Sequence, residues 1–128
     1  MILITGGAYH GKRNYAKQMY PGIDFVDGIS CAEETIFACQ GMDHFHSYIE
    51  NRMREGKKLP ELLKIVEKLK CENSEIVLIT DEIGYGIVPI DAFYREYRET
   101  HGRVCTQIAA EAKEVHRVIC GIGTVIKG

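Results

Sequence analysis

Met1-Ile2-Leu3-Ile4-Thr5 is a short apolar run rich in β-branched residues, and Gly6-Gly7-Ala8-Tyr9-His10-Gly11-Lys12 follows it directly. A polar, helix-compatible run then extends from Arg13 to Met19. A buried strand, a glycine loop and a helix start form a recurrent anion-binding unit. The glycines let backbone N–H groups turn inward around phosphate oxygens. The helix that follows directs its positive end at the same anion. Lys12 adds a mobile point charge. Its alternative role is a solvated lysine at a helix start.

The phosphate-loop (P-loop) pattern asks for Gly, four residues, Gly, Lys and then Ser or Thr. Gly6, Gly11 and Lys12 fit; Arg13 stands where the hydroxyl that holds Mg²⁺ belongs. The expected phosphate cradle is therefore Gly6, Gly7, Ala8, Tyr9, His10, Gly11, Lys12 and Arg13, with His10 touching phosphate or facing solvent. Arg13 either weakens Mg²⁺ binding or substitutes its own charge for the metal at bound phosphate.

The 128 residues suit one domain with one core. A net charge of −2 with no long basic block argues against nucleic acid as the main partner. No apolar run reaches membrane-spanning length. The five cysteines are odd in number and show no CxxC spacing, as expected for reduced thiols in a cytoplasm.

Along the chain, Pro21-Gly22 ends the first helix and Ile23–Asp27 alternates as a strand. Ser30 and Glu33 make a capping-box pattern, which predicts a helix from Cys31 to Gln40. Gly41 kinks or breaks it, and Met42 to Arg54 is predicted helical again. His44 and His46, two apart on that helix, would face different directions in solvated or packing roles. Leu59, Leu62, Leu63, Val66 and Leu69 mark the next helix, with Pro60 in its first turn. Glu75–Thr80 is the clearest strand, apolar on both faces like a central parallel strand. Asp91 is expected to cap a helix running to His101, Gly102 to stop it, and a further helix to cover Arg103 to Ala112. Val115–Cys120 and Thr124–Lys127 complete the strands, and His116 is expected to be structural.

Strands alternating with helices imply a three-layer α/β fold with a mostly parallel sheet. Thr5-Gly6, Asp27 and Asp81-Glu82 all fall at predicted strand ends, where such sheets bind ligands. Asp27 suits a Mg²⁺-coordinating carboxylate, or equally a strand-end turn residue accepting backbone N–H bonds. Of the adjacent Asp81 and Glu82, only one can face the crevice. That one is a base, a metal ligand or a buried acid bonding loop amides. Arg98 and Arg103 either hold phosphate, pair with Glu82 or form surface ion pairs.

The run Thr80-Asp81-Glu82-Ile83-Gly84-Tyr85-Gly86-Ile87-Val88-Pro89 resembles the TNEVGxGIVP signature of the bifunctional adenosylcobinamide kinase and adenosylcobinamide-phosphate guanylyltransferase family. Tyr97-Arg98-Glu99, Gly102-Arg103-Val104, Ala109-Ala110, Glu114-Val115 and Gly121-Ile122-Gly123 resemble later family motifs, and Ile4 to Lys12 resembles its opening VTGGARSGKS. The resemblance implies a single P-loop NTPase-like (RecA-like) domain over residues 1–128 that takes ATP or GTP with Mg²⁺. It implies phosphorylation of adenosylcobinamide and then GMP transfer through a guanylylated histidine. It also implies a homo-oligomer, expected to be a trimer. Lys12 and Glu82 become the expected catalytic residues, Glu82 being favoured over Asp81, and Asp27 the metal ligand. Three departures stand out. Arg13 replaces the family's Ser, and Cys105-Thr106 replace its Asn-Gln. Only Pro21-Gly22 separate the first helix from Ile23, where the family carries the segment with its GMP-accepting histidine. Guanylyl transfer is therefore expected to be lost, and a non-catalytic nucleotide-binding relative is the alternative reading.

Overall fold

The computed structural model describes residues 1–83 and 91–128. The Gly84–Pro89 part of the family-like signature lies outside the described residues. The elements run β1 (Ile2–Gly6), α1 (Lys12–Met19), β2 (Phe25–Asp27), a 3₁₀ turn (Glu33–Phe37), β3 (Gly41–Asp43), α2 (Phe45–Arg54), α3 (Leu59–Glu72), β4 (Val77–Asp81), α4 (Ala92–Glu111), β5 (Glu114–Ile119) and β6 (Ile122–Lys127).

One six-stranded sheet has the order β2-β3-β4-β1-β5-β6. Among the described residues, every pairing is parallel except β5 with β6. The alternation of side chains along a strand sorts the core into two halves. Leu3, Met42, Leu78 and Val115 face a large cluster with Phe45, Tyr48, Ile49, Leu62, Val66, Leu69, Tyr97, Val104 and Ile108 from α2, α3 and α4. Ile2, Ile4, Val77, Ile79 and Val118 face the opposite way, against Ala16 of α1 with Tyr15, Tyr20 and Phe25 at the margin. Helices thus cover both faces, and the expected three-layer α/β architecture with a mostly parallel sheet is present. β4, flanked by β3 and β1, is the central parallel strand that its apolar run predicted.

Three expectations need correction. The predicted Cys31–Gln40 helix is only a 3₁₀ turn over Glu33–Phe37, with Ala32 rather than Ser30 at its start. The predicted Met42–Arg54 helix conceals a strand. Gly41–Asp43 is β3, which pairs with both β2 and β4, and α2 begins at Phe45. A three-residue strand is too short to show a period. Finally, Gly102 stops nothing. α4 is one helix of 20 residues, capped by Asp91, whose carboxylate accepts from the Phe93 and Tyr94 amides. Gly102 is exposed, and a single interior glycine costs only about 1 kcal/mol. Tyr97, Thr100, His101, Val104 and Ile108, buried on either side of it, hold the helix across that position.

The strand-end glycine of β1 is a steric requirement. Gly6 pairs with Val118 of β5, and a Cβ on Gly6 would lie 2.4 Å from the Val118 carbonyl oxygen. Forcing backbone apart in a packed sheet costs about 1–3 kcal/mol. Gly6→Ala is expected to lower stability by about 2 kcal/mol in urea unfolding. A loss below about 0.5 kcal/mol, the scatter of an ordinary surface change, would show that β1 and β5 tolerate separation.

Candidate functional site

The glycine loop leaves β1 at Gly6 and enters α1 at Lys12. Two residues inside it take left-handed backbone conformations, Tyr9 at φ 62° and Gly11 at φ 83°. Tyr9 projects fully into solvent. The loop is braced from the far end of the chain. The β5–β6 hairpin turns through Cys120 and Gly121, both at positive φ. There the Gly121 amide donates to the His10 carbonyl at 2.7 Å, and the Cys120 amide donates to His10 Nδ1 at 3.1 Å. His10 therefore docks on the hairpin through both its carbonyl and its ring nitrogen Nδ1.

A pocket of about 300 Å³ opens above this loop, lined by Ala8, Tyr9, Gly11, Lys12, Arg13, Asn14, Asp43, His44 and Asp81. It sits beyond the carboxyl ends of β1, β3 and β4, the place where parallel α/β sheets bind ligands. Lys12 is buried, and its ammonium donates to the Gly7 carbonyl at 2.7 Å and meets Asp81 Oδ1 at 2.8 Å. The lysine head is thus folded across the mouth of the loop, held by one carbonyl and one carboxylate.

The two pocket carboxylates come from neighbouring strand ends. Asp81, last residue of β4, has a second partner in His46, whose Nε2 lies 3.4 Å from Asp81 Oδ2. The Asp81 amide donates to His46 Nδ1 at 3.1 Å, which fixes that ring nitrogen as an acceptor. The mobile proton of neutral His46 then sits on Nε2, facing the carboxylate. Burial pushes the His46 pKa down, and the Asp81 charge partly offsets it. Asp43, last residue of β3, accepts from the His44 amide at 2.8 Å through Oδ1 and faces Arg13 Nη1 at 3.9 Å through Oδ2.

The sequence-level candidates distribute as follows. Ala8, Tyr9, Gly11, Lys12 and Arg13 line the pocket, while Gly6 and Gly7 shape the loop behind it. Asp27 lies one strand further out and half exposed. It accepts from the Ile29 amide at 2.9 Å and lies 3.1 Å from His44 Nδ1. Of the adjacent acids, Asp81 turns into the pocket, and Glu82 is held by Arg117 through two hydrogen bonds of 2.7 and 3.1 Å. The arginine partner of Glu82 is Arg117, not Arg98 or Arg103, and Arg103 pairs instead with Glu99 along α4. His116 is fully buried among Tyr15, Tyr20 and Glu114, the structural role expected of it.

His44 and His46 correct the solvated-or-packing expectation. His44 is not inside the helix. It precedes α2 at φ 55°, and that left-handed residue swings its ring to the pocket while His46 points at Asp81. Sequence reasoning missed Asp43 because it missed β3. The readable signal was an acid after Gly41-Met42, the same strand-end placement as Asp27 and Asp81.

Comparison with known proteins places this geometry in context. The model of the family described as cobinamide kinase / cobinamide phosphate guanyltransferase matches residues 26–126. The bifunctional adenosylcobalamin biosynthesis protein CobU of Escherichia coli (strain K12) is 48% identical over 54 residues, which is 42% of this chain and 30% of that protein. The protein of the same name from Salmonella typhimurium (strain LT2) is 46% identical over 54 residues, again 42% of this chain and 30% of the relative. The match thus spans under a third of those relatives' length. The glycine loop precedes the family match, so its assignment rests on its own pattern and geometry.

Proposed function

Since the chain belongs to the cobinamide kinase / cobinamide phosphate guanyltransferase family, we propose that it is a compact nucleotide-binding domain over residues 1–128, acting as an adenosylcobinamide kinase-like protein of cobalamin biosynthesis. ATP or GTP is the expected nucleotide, its β- and γ-phosphates lying in the glycine loop against Lys12. The carrying observation is the pocket in which a buried lysine, the loop and two strand-end carboxylates converge. Phosphoryl transfer needs little covalent chemistry from a protein, so positioning and charge do most of the work.

In this reading Lys12 moves from Asp81 onto phosphate oxygens. Asp81 is then the carboxylate best placed to orient or deprotonate an acceptor hydroxyl, with His46 Nε2–H steadying its second oxygen. Glu82 takes that role only on parting from Arg117. Asp27 reaches the pocket only through His44, which leaves Asp43 the nearer carboxylate for a cation. Guanylyl transfer is the activity this reading omits. Only Pro21-Gly22 stand between the first helix and Ile23, where the family-like segment with the GMP-accepting histidine is expected. Association of copies into a trimer belongs to the same reading, supported by the exposed Ile122, Val125 and Ile126 on edge strand β6.

A second reading, a non-catalytic nucleotide-binding relative, is favoured by Arg13 at the hydroxyl position. Calorimetry with ATP, GTP and adenosylcobinamide, followed by assay of phosphate transfer to adenosylcobinamide, separates the two. Nucleotide binding with turnover is the expected result. Binding without turnover selects the non-catalytic relative, and absence of nucleotide binding removes both. A covalent GMP adduct on incubation with GTP, lost in His44→Asn, would restore the transferase activity.

A further inference from the structure

The Mg²⁺ that the fold family implies does not fit the residues present. Magnesium demands near-ideal octahedral oxygen coordination and is held in phosphate-loop proteins by a hydroxyl and a strand-end carboxylate. The hydroxyl position is Arg13, in the first turn of α1. Its side chain is about half exposed, lines the pocket, and extends Nη1 to 3.9 Å from Asp43 Oδ2. The remaining carboxylate oxygens of the pocket are engaged. Asp43 Oδ1 accepts the His44 amide, Asp81 Oδ1 meets Lys12, and Asp81 Oδ2 faces His46. A dication beside Asp43 would stand against the Arg13 guanidinium, and two positive groups at contact distance repel unless an anion lies between them.

The same geometry supplies an alternative to the metal. A guanidinium is planar, permanently charged and able to bind phosphate oxygens through two parallel N–H bonds. From Asp43 it needs only a rotation of a half-exposed side chain to reach an anion seated in the loop. Lys12, tied to Asp81, lines the same pocket. Each pocket carboxylate would then carry one cation, and both cations would face the same phosphates. We infer that Arg13 takes the charge-neutralising place of the divalent ion, so that the site binds the free, metal-free nucleoside triphosphate. The inference rests on the nucleotide-binding reading and specifies the ionic form of that ligand.

The test is calorimetric titration of ATP and GTP into the protein in EDTA and in excess Mg²⁺, repeated on Arg13→Ser and Arg13→Lys. The native chain is expected to bind at least as tightly in EDTA as in Mg²⁺. Arg13→Ser should lose about tenfold or more of its affinity in EDTA, the loss expected for one charge-assisted hydrogen bond, and should recover part of it in Mg²⁺. Arg13→Lys, which keeps the charge, should retain most binding without metal. The inference falls if the native chain binds only in Mg²⁺ and Arg13→Ser behaves identically. It also falls if Arg13→Ser binds in EDTA as well as the native chain does. Absence of binding in both buffers would instead remove the nucleotide reading itself, an outcome distinct from metal-dependent binding.

Discussion

Lys12→Ala should weaken nucleotide binding by about tenfold to a hundredfold, the range set by losing hydrogen bonds from a charged group. Two effects act in the same direction. The cation that meets the phosphate is gone, and Asp81 is left facing the loop with no ammonium at 2.8 Å to neutralise it. An uncompensated carboxylate across a small pocket then repels the incoming anion. The second effect can be isolated. Lys12→Ala combined with Asp81→Asn should regain part of the lost affinity, because the repulsive charge is removed while the missing donor is not restored. Titration of ATP or GTP at fixed ionic strength reads both variants, with circular dichroism as the check on folding. Unaltered affinity in Lys12→Ala would mean that phosphate binds elsewhere.

Acid should destabilise the protein through His101. This histidine is buried on α4, with Nε2 2.8 Å from Thr80 Oγ1 and 3.4 Å from Cys105 Sγ, and the Tyr97 ring beside it. His46 and Asp81 are the charged or titratable groups acting on it from α2 and β4. Burial, reinforced by His46 and opposed by Asp81, holds its pKa down at about 4. In the unfolded chain it takes up a proton near pH 6.5. Between those values the unfolded state binds more protons than the native one, so stability falls as pH falls. The contribution approaches a loss of roughly 2.5 kcal/mol by pH 4.5 and is absent above about pH 7.5. His101→Gln keeps a group able to bond Thr80 but cannot titrate. Urea unfolding of both proteins at pH 7.5 and pH 4.5 should show a smaller acid loss in the variant. Equal losses would place the acid sensitivity elsewhere.

Much of the framework could be read from the residues because its signals are local and strong. The Ile2–Gly6 strand, the glycine loop and the Val77–Asp81 strand carry dense apolar runs closed by glycine or acid. Their convergence follows from parallel topology. What could not be read was settled by tertiary context. Gly41–Asp43 becomes a strand because two neighbours supply its hydrogen bonds, and no periodicity in three residues could reveal that. Gly102 looks like a stop, yet packing of Tyr97 and His101 before it and Val104 after it carries the helix through. The pocket suffered accordingly. A helix over Met42–Arg54 leaves Asp43 outside the site and predicts that His44 and His46 face different directions. The turn of His44 into left-handed backbone instead brings the two rings edge to face, 5.7 Å between centroids, an approach that sequence spacing does not encode. The choice between Asp81 and Glu82 likewise depends on Arg117, a residue far along the chain that claims Glu82 for itself.

The hairpin that braces the glycine loop also fixes an order of events during synthesis. His10 and Cys120 are 110 residues apart, so the loop emerges from the ribosome long before its support exists. A nascent chain can fold β1 and α1 against β4 and still lack the main-chain donors that hold His10. The braced form of the loop therefore arrives late, when residue 121 has cleared the exit tunnel, and any lesion that unravels the Cys120–Gly121 corner should undo it from a distance.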